Sequence, residues 1–231
     1  MRNTNLYTGC TIGQHVSNCF DKLTSEEIKL IDANSVNIKY KKHEIICKQG
    51  GLVTQLMFMK KGLAKVYLDD GVNTLVLKII PTGNLLGLAS ISEENNVFQY
   101  SAMAYIDSEI KQIDIQIIRQ IIRQNSEFAK DVIDILSSNS VQIYNRFFCF
   151  THKQCFGKLA DIILCLSDRI FSTTQFELPL SRREMGELSG MSTETLIRLL
   201  KKFVEDGLIS IEGKTITVLD YERLKNISEK G

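Results

Sequence analysis

At 231 residues, with 44% hydrophobic and 24% charged residues, the sequence has the composition of an ordinary globular protein, long enough for one large domain or two modest ones. No apolar run reaches the roughly 18–20 residues that span a bilayer, and MRNTNLYTGC lacks the basic region and apolar core of a secretion signal, so a cytoplasmic protein with no membrane partner is expected. The 28 Lys/Arg and 27 Asp/Glu leave a net charge of only +1, which excludes a strongly basic, uniformly polyanion-seeking chain.

Residues 1–19 are polar and without periodicity. The segment TSEEIKLIDAN then predicts a short helix capped by Thr24 or Ser25. From Val36 to about Ile113 short strands alternate with turns: EIIC at 44–47, LMFM at 56–59, LAKVYL at 63–68 and TLVLKII at 74–80. Breakers separate them at Gly50-Gly51, Lys61-Gly62, Asp69-Asp70-Gly71 and Pro81-Thr82-Gly83-Asn84. Many short strands at near-regular spacing predict a sandwich, barrel or jelly-roll. After Asp114 the pattern becomes helical. Between about 126 and 151, Phe128, Val132, Ile135, Asn139, Ile143 (or Gln142), Arg146 and Phe150 fall at alternating steps of four and three. That heptad-like stripe predicts a long helix, packed on its own domain or, the preferred reading, forming a two-fold dimer seam. A further helix is predicted at about 157–168, with a domain boundary near Lys153–Phe156.

The most informative stretch runs from Ser181 to Asp220. Ser181 followed by Glu184 has the spacing of a capping box, predicting a helix from about Arg182 to Leu188. Gly190 breaks it and Ser192 caps a second helix from Thr193 to about Val204. Leu196, Leu199, Leu200 and Phe203 make the buried stripe of that helix. Thr193, Glu194, Ile197, Arg198, Lys201 and Lys202 are left facing out. A strand at 207–209, the turn Glu212-Gly213-Lys214 and a strand from Thr215 to Leu219 complete a winged helix-turn-helix, whose second helix is of the kind that enters a DNA major groove. From Thr151 onward there are 12 Lys/Arg and 12 Asp/Glu, so binding to DNA must rest on local placement of charge.

A β-roll, a long helix and a C-terminal winged helix-turn-helix in that order resemble the Crp/Fnr family of bacterial transcription regulators. The resemblance covers nearly the whole chain. GMSTETLIRLLKKF at 190–203, followed by GLISIEGKTI, carries most of it, and PTGNLLGLASI at 81–91 resembles the family's glycine-marked turn at the effector pocket. It implies an α+β fold: a jelly-roll-like β-roll within 1–125, a dimerisation helix at 126–153 and a DNA-binding domain at 154–231. It also implies a homodimer acting on double-stranded DNA, with RNA polymerase as a further partner, and no enzymatic activity. Residue by residue, Glu194 and Arg198 match the family's base-reading glutamate and arginine, groups that suit cytosine N4 and guanine O6/N7. Thr193 replaces a second arginine of the cAMP-dependent members, and Ile197 and Thr193 suit thymine methyl groups. Ser181, Arg182, Ser192, Thr195, Lys201 and Lys214 are the expected phosphate contacts.

The effector region implied by the resemblance comprises Gly83, Gly87, Leu88, Tyr100, Ser101, Ile143 and Tyr144. It departs from the cyclic-nucleotide members: Leu88 stands where they carry glutamate, Tyr100-Ser101 where they carry Arg-Ser, and Ile143-Tyr144 where a Thr-Ser pair meets adenine. A buried phosphate needs a compensating cation or several donors, so a signal other than cAMP is expected. In a reducing cytoplasm the six cysteines (Cys10, Cys19, Cys47, Cys149, Cys155, Cys165) are thiols or metal ligands. Oxygen-sensing members hold an iron–sulfur cluster on closely spaced N-terminal cysteines plus a distant one; here only Cys10 and Cys19 lie in that region, and Lys111 stands near the distant position. No metal or cofactor is therefore expected. The alternative is a redox, iron–sulfur or haem-based sensor using Cys10/Cys19 or the β-roll pocket. There is no phosphate loop, nucleophile elbow or zinc spacing to suggest an enzyme.

Overall fold

The computed structural model describes Ile12, Gly13 and residues 19–231. They divide into two compact units. One holds residues 19–73 and Lys78–Ser140; the other holds Thr74–Leu77 and Val141–Gly231, together with Ile12 and Gly13. This cut differs from the expected three-part division, because one long helix contributes its first half to the former unit and its second half to the latter.

The β-roll unit opens with a 3-10 turn, Cys19–Lys22, and helix α1, Ser25–Ala33. Thr24 caps α1: its hydroxyl accepts from the Glu27 N–H, and the Glu27 carboxylate accepts from the Thr24 N–H in return. The strands are β1 (Ser35–Tyr40), β2 (Ile45–Cys47), β3 (Gln55–Lys61), β4 (Leu63–Asp69), β5 (Thr74–Pro81), β6 (Leu85–Leu86), β7 (Ser101–Ala104) and β8 (Ser108–Asp114). They form two four-stranded sheets, β1-β8-β3-β6 and β2-β7-β4-β5. Gly62 joins β3 to β4 at φ 126°, where a Cβ would lie 2.1 Å from Ser108 Oγ, so only glycine fits. Helix α2, Ile115–Gln124, is capped by Asp114, whose carboxylate accepts from Gln116 N–H. Leu56, Leu85, Ile113, Ile118, Ile121 and Phe128 meet in one apolar cluster.

Helix α3, Ser126–His152, is the long helix. Its predicted seam requires correction. Phe128, Val132 and Ile135 are buried in the β-roll unit's own core. Asn139 Oδ1 accepts from Lys78 Nζ at 2.9 Å. In the winged-helix half Gln142, not Ile143, continues the buried stripe. The Arg146 guanidinium donates to the carbonyls of Val76 and Leu188 and lies 4.0 Å from the Phe150 ring centroid. Phe150 in turn fills the space that a Cβ on Gly190 would need. The stripe is thus the inner face, which burial against its own chain explains without a partner. A second stripe is exposed: Ile133, Ser137, Ser140, Tyr144 and Phe147, again at alternating steps of four and three, flanked by Val141 and Ile143.

The winged-helix unit continues with α4 (Cys155–Cys165), a π-helical stretch (Leu166–Phe171), β9 (Gln175–Glu177), α5 (Arg182–Ser189), α6 (Thr193–Glu205), β10 (Ile209–Glu212), β11 (Thr215–Val218) and α7 (Tyr221–Lys230). The wing is three-stranded, in the order β10-β11-β9; β9, the π-helical stretch and α7 had no counterpart in the sequence pattern. Inside, the Asp161 carboxylate accepts from Lys153 Nζ at 2.7 Å, from Ser228 Oγ and from the Cys149 thiol at 3.3 Å. Lys153 also donates to Ser228 O at 2.6 Å. One buried ion pair therefore joins the end of α3, α4 and α7.

Candidate nucleic-acid interface

The helix-turn-helix is built by its caps. Ser181 Oγ accepts from Glu184 N–H and the Glu184 carboxylate accepts from Ser181 N–H, closing the capping box on α5. Gly190, at φ 65°, ends α5 in the left-handed conformation, and Met191 N–H returns to Gly186 O at 3.0 Å to make the turn. Ser192 Oγ accepts from Thr195 N–H and starts α6. Leu196, Leu199, Leu200 and Phe203 are buried, which fixes the rotation of α6 and presents its other side.

That other side carries Glu194, Ile197, Arg198 and Lys201 on one exposed face. Lying three, four and seven residues after Glu194, the other three share its face of the helix. The Glu194 carboxylate is held below the usual carboxylate range by hydrogen bonds from its own backbone N–H and from the Ser192 hydroxyl, so it is ionised and an acceptor only. Arg198 has no ion-pair partner among the described residues, which leaves its five donors to an external acceptor. Thr193 and Thr195 are half-buried, and the Thr195 hydroxyl lies 3.2 Å from Ser192 Oγ. Lys201 lies 3.8 Å from Glu205, a loose surface pair that is easily exchanged for phosphate. Arg182 is half-buried near the start of α5, and Lys214 is exposed on the wing turn. All these positions belong to the one unit. Sequence reasoning missed the supports behind them. Arg146 binds the last turn of α5 through Leu188 O, where a cation also meets the negative end of the helix dipole.

The β-roll turn is arranged differently from the expected pocket. Gly87, at φ 91°, donates its N–H to the Tyr100 hydroxyl at 2.8 Å. Burial pushes the Tyr100 phenol well above its ordinary range. Ser101 Oγ accepts from Gln49 N–H at 3.0 Å, and Gly83 N–H donates to Met59 O. Leu88 is buried and packs into the apolar cluster. Ile143 and Tyr144 are exposed on α3. Cys47 lies on β2, and burial pushes its thiol up to about 12, which makes it unreactive. Cys10 lies outside the described residues, as does the side chain of Cys19. Among the described residues no group of three or more His, Cys, Asp or Glu is placed to share a metal ion, and no helix is long and apolar enough to cross a membrane.

Comparison with known proteins agrees with this architecture. Residues 37–125 match the cyclic nucleotide-binding domain and residues 157–227 the Crp-like helix-turn-helix domain; together these segments span more than half of the chain. The chain belongs to the Crp/Fnr family. It is 26% identical to the transcriptional activator protein anr of Pseudomonas aeruginosa, over 78% of this chain and 75% of that protein. It is 27% identical to the cAMP-activated global transcriptional regulator CRP of Escherichia coli O6:H1, over 78% of this chain and 88% of that protein. Among solved structures, FixK2 from Bradyrhizobium japonicum shares the fold at a TM-score of 0.77 with 18% identity, covering 84% of this chain and 96% of that one. As in the rest of the family, the winged helix-turn-helix makes this a DNA-binding transcription regulator.

Proposed function

We infer that the protein reads a palindromic DNA site as a homodimer, under the control of a signal other than a cyclic nucleotide. The observation that carries the first part is the exposed face formed by Glu194, Ile197, Arg198 and Lys201 on a helix whose opposite side is locked in the core. Glu194 and Arg198 take the base-reading roles, Arg198 toward guanine and Glu194 toward cytosine N4. Thr193 and Ile197 face thymine methyl groups. Ser181, Arg182, Ser192, Thr195, Lys201 and Lys214 supply phosphate contacts, which set register without reading sequence. Dimerisation runs through the exposed stripe of α3, where Tyr144 and Phe147 are each 69% exposed. Ile133, Tyr144 and Phe147 of that stripe, with Val141 and Ile143 beside it, are large exposed apolar side chains of the kind that mark an association surface, and a second copy of the helix is the occupant we propose. RNA polymerase is the expected partner once the site is bound, and the cytoplasm the place of action.

For the signal, the turn N–H at Gly87 is already engaged by Tyr100, and Leu88 has turned into the core. Neither side chain offers charge to a cyclic phosphate or a ribose. No iron–sulfur cluster is proposed, since Cys10 and Cys19 are the two thiols of the N-terminal region. Selection from a random DNA library tests the central reading: a palindrome with a G·C pair in each half-site is expected, and a non-palindromic motif refutes it. Calorimetry with cAMP and cGMP should give no heat up to millimolar ligand. Anaerobically purified protein should lack cluster and haem absorption; iron and sulfide in stoichiometric amount would favour the redox-sensor alternative.

A further inference from the structure

Ile12 and Gly13 precede the β-roll in sequence yet belong to the winged-helix unit. Ile12 is 1% exposed. The Gly13 N–H donates to Cys165 Sγ at 3.0 Å, across a sequence separation of 152 residues. A Cβ on Gly13 would lie 2.6 Å from Ile170 Cδ1 and 3.3 Å from Cys165 Sγ, so the backbone packs closely against both side chains. The seat is made by the π-helical stretch. Five residues apart on an α-helix, Cys165 and Ile170 would point about 140° apart; the wider π turn brings i and i+5 to one side.

The seat is also continuous with the wing. The π-helical stretch ends at Phe171, whose ring stacks on Phe176 at 4.9 Å. Phe176 lies on β9 opposite Ile216 of β11, and Leu178 N–H donates to Lys214 O at 2.9 Å. A short series of contacts, buried at Phe176 and Leu178, therefore leads from Gly13 to the wing turn.

We propose that Ile12–Gly13 is an arm that the winged-helix unit incorporates into its core, and that its docking holds the wing, with Lys214, in place to meet DNA. The N-terminal segment thus becomes a control point for DNA binding, separate from the β-roll turn. The effect on DNA rests on the reading above; the docking itself does not.

Hydrogen exchange on the full-length protein tests the docking, and binding to the selected palindrome tests its consequence. In Ile12→Asp, a buried carboxylate without a partner expels the arm. Protection over residues 166–177 should fall by about tenfold or more while α6 keeps its protection. DNA affinity should drop several-fold with a shallower salt dependence, as loss of the Lys214 phosphate contact requires. Gly13→Ala presses on the movable end of Ile170 and, more lightly, on Cys165 Sγ, and should give the same pattern to a smaller degree, which decides the matter if Ile12→Asp unfolds the unit. Unchanged protection over 166–177 in both variants overturns the arm. Lost protection with unchanged affinity overturns its link to the wing. If the unmodified protein binds no DNA, the DNA reading fails while the exchange result still decides the docking.

Discussion

Arg198 and Lys201 sit one turn apart on α6 and are exposed alike, but their chemistry differs. The planar fork of Arg198 matches guanine bidentately, whereas Lys201 is a point charge. Arg198→Ala should cost about 1–3 kcal/mol per half-site and relax the preference at one G·C pair, as repeated library selection would show. Lys201→Ala should weaken binding to all sequences alike and flatten its salt dependence. Lys78 makes a different prediction. Burial lowers its pKa to about 8, whereas an unfolded lysine titrates near 10.4. Below about 8 the ammonium is charged in both states and its burial opposes folding. Between about 8 and 10 the unfolded chain binds more protons, so this group makes stability rise with pH. Lys78→Met should remove that rise, measured as the denaturation midpoint at pH 7 and pH 9.5.

The helix α3 has a buried stripe and an exposed one, and substitutions on the two should have different effects. Phe128, fully buried, holds the helix to the β-roll unit, while Phe147 points to solvent. Phe147→Asp should leave the fold intact and shift light scattering from dimer to monomer at micromolar concentration. Phe128→Asp should instead lower stability by several kcal/mol, as expected for an unpaired charge in a core. At its end, α3 is fastened by Lys153 to Asp161, whose side chain is fully buried. Lys153→Met leaves that carboxylate without its cation and should cost about 3–5 kcal/mol in thermal unfolding. The Ser228 hydroxyl and the Cys149 thiol alone cannot replace a full positive charge.

At the scale of the whole molecule, the proposed two-fold seam along α3 would pair the recognition helices as two equivalent readers. The half-sites should then be centred about one helical turn of DNA apart, on the order of 10 base pairs. Inserting about half a turn between them rotates one half-site to the far face of the duplex and should reduce binding to that of a single half-site. A gel shift comparing the two spacings measures this, and equal binding at both would argue for independent monomers.

The winged helix-turn-helix was legible in the sequence because its signals are local. Ser181, Glu184, Gly190 and Ser192 mark helix ends through hydrogen bonds to backbone groups three or four residues away, and the observed caps use those same groups. The exposed face of α6 followed, since Leu196, Leu199, Leu200 and Phe203 leave it only one way to turn. The β-roll's strands were likewise legible as short apolar runs between breakers, although their pairing was not. What the tertiary structure alone decided concerns partners distant in the chain. The stripe through Phe128 and Ile135 is heptad-spaced whether it meets the same chain or another copy, and periodicity carries no information about which surface covers it. Leu88 and Tyr100 both belong to the expected effector region, yet one joins the core and the other bonds Gly87, a choice set by the space around each. The ion pair of Lys153 with Asp161 and the seat of Gly13 on Cys165 depend on helices that the chain brings together only after folding.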